Sequence, residues 1–537
     1  MNIKDILARA PKYIQDSTVV HALAQFIESQ AVQIQSQAEQ IMRLEKTVES
    51  LKDEISRLNN TPKRSKFNPN KLEPRNRKRN GIDLKSNSIE RNQNICAPDK
   101  KLEEVKVQAE DIPQGSRFKG YSEVKVQDLE ISVKEISCKL EVWQSSDGRI
   151  IRAQLPEELR GKHFGSKLRA LAINLYAQGM TQPAIYDFLQ GVGIEISSGQ
   201  ISHLLLGEAD GFANISEAIL QAGISEAPYI RTDDTGARHK HQNGYCTHLG
   251  GEYFAYYKTT FSKSRANFLK ILRQGQEGYW INDAMIWHLY QSGVKDDILN
   301  LFENQKDKRY RRKNSFNRFL TGLYIYGKKL RAQCLEAALV GFISEKLLKK
   351  GQVLLSDRAG QFAIFDHAAC WVHMERPLRK ISASCKAVQK ELKAVREAVW
   401  TLYRTLKESA ITQTGREKVA ILYDNLVAMK SSSPMVMDVL KSFREYREEM
   451  LKALDHPGLP LHNNDSERDI RSFVKRRKIS GSTKSEQGKK FRDGLASIKQ
   501  TCFRLGLSFW KYSSEWLRGN APDLAQLVCE KYQMVAI

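Results

Sequence analysis

Three acidic residues stand in settings that could do metal-assisted chemistry: Asp233 in YIRTDDTG, Asp357 in VLLSDRAGQF and Glu467 in HNNDSERDIR. The first two close short β-type runs, and the third opens a polar-to-basic helical pattern. Carboxylate oxygens are the ligands Mg²⁺ prefers, and two ions about 3.5–4 Å apart can clamp the attacking and leaving oxygens of a phosphodiester. Two strand-end carboxylates and one on a later helix are what such a site needs. Asp234 competes with Asp233 for the first position. Strand alternation puts Tyr229, Arg231 and Asp233 on one face and Ile230, Thr232 and Asp234 on the other. For Glu467 the competing reading is a surface pair with Arg471 four residues on. Asp357 follows Asp233 by 124 residues, and Glu467 follows Asp357 by 110, so large elements must intervene.

The elements that would position these residues form a multidomain α+β chain. Its 537 residues exceed one core, and its net charge of +23 calls for a polyanionic partner. The sequence shows no apolar run long enough to span a membrane and no signal-peptide core at its start, so nucleic acid is the expected partner, not lipid. Eight scattered cysteines without a CxxC pair fit reduced thiols in a cytoplasmic protein. Residues 1–60 read as a coiled-coil dimerisation helix. Val20, Ile27, Ile34, Ile41, Val48 and Ile55 repeat every seven residues, with Leu23, Gln30, Gln37, Leu44, Leu51 and Leu58 three later. Residues 61–115 read as a basic, disordered linker broken by Pro62, Pro69 and Pro74. Alternation over 116–160, with a turn at Asp147–Gly148, predicts a small β module.

Helical period returns over 161–222. Thr181 and Ser197 or Ser198 are candidate N-caps, and Gly179 ends the first helix. The pattern predicts a helix-turn-helix with Gln200 and His203 on the reading helix. From 226 to 374 the order is three antiparallel strands, helical matter at about 279–349, then a fourth strand ending in Asp357. That is the order of an RNase H-like sheet. Residues 375–456 predict an all-α insertion, 457–518 the last part of the core carrying Glu467, and 519–537 a C-terminal tail. Lys475, Arg476, Arg477 and Lys478 would hold phosphates beside the site, together with Arg468 and Arg471. Cys370 and His373 are half a zinc site by spacing, but a structural place near Asp357 suits them better. Asn463 and Asn464 are expected to cap the Glu467 helix.

The local motifs resemble those of insertion sequence 66 family transposases: DDTGARH with GYCTHLGG, SDRAGQF followed by CWVHMER, and LPLHNNDSERDIRSFVKRRKISGSTKSEQG. The resemblance runs from about residue 116 to 517. It implies a DDE-type catalytic domain with Asp233, Asp357 and Glu467 as ligands of two Mg²⁺ ions, for which Mn²⁺ could substitute. It implies hydrolysis at the element's ends followed by strand transfer, in a bacterial, nucleoid-associated protein. Many relatives carry a zinc ribbon ahead of the helix-turn-helix; here only Cys96 and Cys138 fall in that region, so no zinc is expected. DNA, a second copy through the coiled coil and accessory proteins encoded by the element are the implied partners. Two other readings remain open: a catalytically inactive DNA-binding regulator, and a nuclease of the same fold without joining activity.

Overall fold

A computed structural model describes residues 112–126, 128–155, 163–383, 385–409 and 412–536. In the N-terminal part it describes residues 22, 25–27, 29–30, 32–41, 78–79 and 82–83. The chain divides into two units. One comprises Met1–Pro74 with Trp371–Leu461, the other Arg75–Cys370 with His462–Ile537.

The second unit is built on a five-stranded mixed sheet: β1 (Tyr229–His239), β2 (Gln242–Gly250), β3 (Ala255–Thr260), β4 (Val353–Ser356) and β5 (Asp366–Ala369), in the order β5-β4-β1-β2-β3. β1, β2 and β3 are antiparallel neighbours, whereas β4 runs parallel to both β1 and β5. All four residues of β4 are buried, as a parallel strand covered on both faces requires. The pairing of β4 with β1 joins Val353 to Tyr229, Leu354 to Ile230 and Leu355 to Arg231.

Helices α1 (Ser166–Gln178), α2 (Gln182–Gly191), α3 (Ser198–Leu206) and α4 (Ala209–Glu226) precede this sheet, and α5 (Arg265–Arg273) follows β3. Then α6 (Asp283–Gln291), α7 (Asp296–Glu303), α8 (Lys313–Gly322) and α9 (Lys328–Phe342) close around a separate apolar cluster that includes Met285, Leu289, Phe302, Phe316 and Leu320. The expected caps are present: Thr181 accepts from the Ala184 N–H, and Ser197 forms a capping box with Gln200.

The described elements of residues 371–461 are helices: α10 (Trp371–Lys380), α11 (Lys386–Ser409), α12 (Gln413–Ala428), α13 (Pro434–Glu445) and α14 (Arg447–Leu451). Trp371 is buried and donates from Nε1 to the Met450 carbonyl at 2.9 Å. Three α-helices that complete the sheet unit follow: α15 (Asn464–Ser480), α16 (Glu486–Arg504) and α17 (Phe509–Trp516), with α18 (Leu524–Ala536) at the end.

α16 seals the sheet's edge. Thr501, Ser497 and Asp493 accept from the backbone N–H groups of Ala255, Tyr257 and Thr259 at 3.1, 2.9 and 2.7 Å. Four residues of helix rise about 6 Å and two residues of strand about 6.7 Å, so the two repeats match. An edge strand that would otherwise template aggregation is thereby satisfied. The closeness has a steric condition: a Cβ at Gly494 would stand 2.8 Å from the Phe212 carbonyl carbon on α4.

Two expectations change. Of the β module, Val142–Gln144 pairs with Ile150–Arg152 around the Asp147–Gly148 turn, but the described residues of 116–141 form no strand and are exposed. Their apolar positions alternate without a partner strand to bury them. The heptad region is helical where described, and Ile27, Ile34 and Ile41 are exposed; most of its seam lies outside the described residues. So does most of the 61–115 linker, where Lys78–Arg79 pairs with Ile82–Asp83. No helix among the described residues is long and apolar enough to cross a membrane.

Candidate active site

Sheet register brings the first two acids together. β4 pairs with β1 at a constant offset of 124 residues. Carried two residues past Leu355, that offset sets Asp357 beside Asp233, on the same face, because parallel partners share a face. Glu467 comes from the first turn of α15, which lies across β1 and β2. Burial raises the Asp233 pKa to about 7, and the negative charges of Asp357 and then Glu467 push in the same direction. Two carboxylates thus act on a third in a partly dry site, as like charges do.

Each acid is oriented locally. Asp233 Oδ1 accepts from the Asp234 N–H at 2.8 Å. Asp357 Oδ1 accepts from the Ala359 N–H at 3.0 Å, an Asx turn after the strand in which Arg358 takes a φ of 68°. Asp234 turns to the other face. Its Oδ2 accepts from Gln361 Nε2 at 2.9 Å, and burial raises its pKa against the opposing hydrogen bonds of Thr247 and Gln361. Among the described residues no three His, Cys, Asp or Glu groups stand ready-made as a metal cluster.

Sequence reasoning missed what fastens α15 to the sheet. Arg231, buried on the Asp233 face, pairs with Asp465 and donates to the Gly251 carbonyl at 2.5 Å. His248, the cross-strand partner of Asp233, places Nδ1 3.0 Å from Ser466 Oγ and Nε2 3.2 Å from Asp469 Oδ2. Asp469 also pairs with Arg504 of α16 and accepts from Gln500 Nε2 at 2.7 Å. Burial opposes the Asp469 charge, yet His248 and Arg504 outweigh it and lower its pKa. Burial lowers that of His248, which favours the neutral ring. The signal was the i, i+4 spacing of Asp465 and Asp469 around Glu467, which an amphipathic reading takes as a solvated face.

Several expected roles move. Asn463 is fully buried at the start of α15 but its side chain does not cap. It donates instead to the Thr232 carbonyl at 2.8 Å, and its N–H donates to Cys370 Sγ at 3.2 Å. Asn464 is the first residue of the helix. Cys370 is therefore a structural neighbour, and its own N–H donates to the Ser356 carbonyl, one residue before Asp357, at 3.0 Å. His373 belongs to α10 and accepts from Arg376 at 3.1 Å. In the basic run, Arg476 lies 3.3 Å over the Tyr176 ring of α1 and donates to its carbonyl, and Arg477 donates to the Gly236 carbonyl. Those two hold the helix in place, whereas Lys475 and Lys478 are exposed. Arg468 pairs with Asp465 at 2.9 Å, and Arg471 is exposed. Gln200 accepts from the Ser197 N–H through its Oε1 at 2.8 Å, and both Gln200 and His203 are exposed on α3.

Residues 323–491 match the model of the family described as Transposase IS66 family. A protein of Sinorhizobium fredii (strain NBRC 101917 / NGR234), named "Uncharacterized protein y4jO", is 35% identical over 317 residues, which cover 58% of this chain and 98% of that one. The chain belongs to the IS66 transposase family. Membership places it among DNA-processing proteins. The family match contains Asp357, Asn463, Asn464 and Glu467, and Asp233 lies N-terminal to it, joined to Asp357 by the sheet.

Proposed function

We propose that the chain is a DDE transposase that binds the ends of a bacterial insertion sequence, cleaves a strand there and joins the freed end to target DNA. The observation that carries this is the β1–β4 register, whose offset of 124 residues sets Asp357 beside Asp233 under the helix that brings Glu467. The sheet order, three antiparallel strands followed by two parallel ones, supports an RNase H-like core.

The donor set fits hard divalent cations, since carboxylate oxygens are the ligands such ions prefer and a cation would answer the like charges that act on Asp233. Asp233, Asp357 and Glu467 would hold two Mg²⁺ ions, and Mn²⁺ would serve in their place. When bound, such ions activate a water or a 3′-hydroxyl and neutralise the leaving oxygen. The protein's own part is placement. Asn463 ties the start of α15 to the strand just before Asp233, the Ala359 N–H aims Asp357, and the Arg231–Asp465 and His248–Asp469 pairs fix the helix that carries Glu467. Asp234, held by Gln361, supports the wall. Lys475, Lys478, Gln200 and His203 are the side chains offered to phosphates, and no covalent enzyme intermediate is needed. The N-terminal heptads join two copies, with element-encoded accessory proteins as further partners, in the cytoplasm at the nucleoid.

The test is full-length protein with MgCl₂ and end-labelled duplexes taken from the DNA that flanks the coding region. Joined products are expected. Cleavage without joining would assign a nuclease, and binding without cleavage an inactive regulator.

A further inference from the structure

The helical element between β3 and β4 carries a surface that the carboxylate site does not use. From Lys308 to Leu335 the chain holds nine lysines and arginines and no aspartate or glutamate. Three of the nine are engaged within the element. Lys308 lies over the Phe319 ring, Arg309 lies 4.3 Å over the Trp280 ring and pairs with Glu345, and Arg331 is a clamp. The other six, Arg311, Arg312, Lys313, Arg318, Lys328 and Lys329, are exposed, and among the described residues none has an ion-pair partner. Three of them sit at the start of α8, where cations oppose the helix macrodipole. An uncompensated cluster of this kind is stabilised by an anion from outside the chain.

The turn between α8 and α9 adds aromatic surface. Arg331 donates to the Ile325 carbonyl at 2.8 Å, to Thr321 Oγ1 at 3.1 Å and to the Asn317 carbonyl at 2.8 Å, which fixes the turn. Ile325 is buried beneath it, and Tyr324 and Tyr326 on either side are 82% and 63% exposed. Tyr324 has a φ of 57°, which a tyrosine seldom adopts. Their rings meet edge to face at 6.4 Å, leaving faces open. The patch is tied to the catalytic strand. Eight residues beyond Lys328, about 12 Å along α9, Glu336 pairs with Arg265 at 3.4 Å, and Arg265 donates to the Gly360 carbonyl, three residues past Asp357, at 2.8 Å.

We infer that the surface from Arg311 to Lys329 is a platform for a DNA strand, with phosphates on the six cations and an unstacked base against Tyr324 and Tyr326. Exposed cations beside open aromatic faces are the chemistry that holds single-stranded DNA, and stacking tolerates any base. The inference rests on the DNA substrate proposed above and names where a strand leaving the duplex is held.

Fluorescence anisotropy on the full-length protein tests it, using a random-sequence duplex of about 30 base pairs, blunt or with a single-stranded tail of about ten nucleotides, across a salt series. The triple variant R311A/R312A/R318A should flatten the slope of log K against log salt by about 2.7 and weaken binding about 10²-fold. Y324A/Y326A should leave the blunt duplex unchanged and weaken the tailed probe about tenfold. W287A/Y290A, which removes an exposed stacked pair on α6, should change neither, and melting curves should show all variants folded. An unchanged salt slope in the triple variant overturns the phosphate platform. Equal losses on both probes, or an equal loss in W287A/Y290A, overturn the base-stacking assignment. If the unaltered protein binds neither probe, the DNA-processing reading itself falls.

Discussion

Two sets of acids share the α15–sheet interface, and their neighbours set them apart. Asp233 meets Asp357 and Glu467, and its carboxyl is driven up to about 7. Asp469, on the same helix as Glu467, meets His248 and Arg504 and is driven down. Both sites are partly dry. Around Asp469 the chain supplies the countercharge, whereas Asp233 has like charges set against it. A buried acid whose charge the chain has already answered builds the fold, and one whose charge it leaves unanswered is available to something that arrives from solution.

The comparison breaks most visibly at Asp357. D357N should reduce strand cleavage on the order of 10³-fold or more, because metal-assisted stabilisation is worth several kcal/mol, while the melting temperature does not fall. Retained cleavage would remove Asp357 from the site. D469N or R504M should do the reverse, lowering stability by about 3–5 kcal/mol by stranding a buried charge. A melting temperature equal to that of the unaltered protein would show that the pair holds nothing together.

The pH dependence should separate the two acids by sign. The folded protein protonates Asp233 more readily than the unfolded chain does, so its contribution to stability declines as pH rises from about 4 to about 7. D233N should therefore stabilise the metal-free protein at pH 8 by on the order of 2–4 kcal/mol, and MgCl₂ should raise the melting temperature of the unaltered protein but not of D233N. Asp469 contributes above its unfolded pKa of about 3.9 and loses that contribution as pH falls through its lowered folded value. Thermal melts from pH 2 to 8 would read both trends, the Asp469 loss below about pH 4 and the Asp233 decline above it, and parallel trends for D233N and D469N would erase the distinction.

Smaller effects sharpen the boundary. N463A should cost about 1–3 kcal/mol, since it leaves the buried Thr232 carbonyl without its donor. K475A should only flatten the salt dependence of DNA binding, by about 0.9 in slope. R476A should instead lower the melting temperature, because its partner is Tyr176. A salt slope moved by R476A but not by K475A would reverse that division of the basic run.

The strands that carry Asp233 and Asp357 and the helix caps at Thr181 and Ser197 were legible because each leaves a local mark, an apolar run or a polar residue before an apolar period. But Asp233, expected to close its strand, lies inside β1 because pairing with β2 carries that strand on to His239. What fastens these elements was not legible. Arg231 and Asp465 are 234 residues apart in sequence, and nothing local distinguishes a buried ion pair from two surface charges. Asn463 reads as a cap because asparagine before a helix usually is one; its amide is drawn away by a strand from another part of the chain. The β1–β2 turn at Lys240–His241 was invisible for a related reason. Both residues have positive φ, at 49° and 62°, without the glycine or asparagine that announces such a turn. Thr483 holds it from a distance, through its carbonyl to the Lys240 N–H at 2.8 Å and its hydroxyl to His239 Nδ1 at 2.9 Å.

The constant offset between β1 and β4 works as a ruler. The distance between Asp233 and Asp357 is set by a few backbone hydrogen bonds and is indifferent to the length of chain that joins the strands. The loops and helices between them are free to lengthen, shorten or acquire new surfaces over generations while the acids stay side by side. The ruler has a single forbidden error. Sliding β4 by one residue would put Ser356 opposite Asp233 and turn Asp357 to the far face of the sheet, so this spacing is inherited as a register and not as a length.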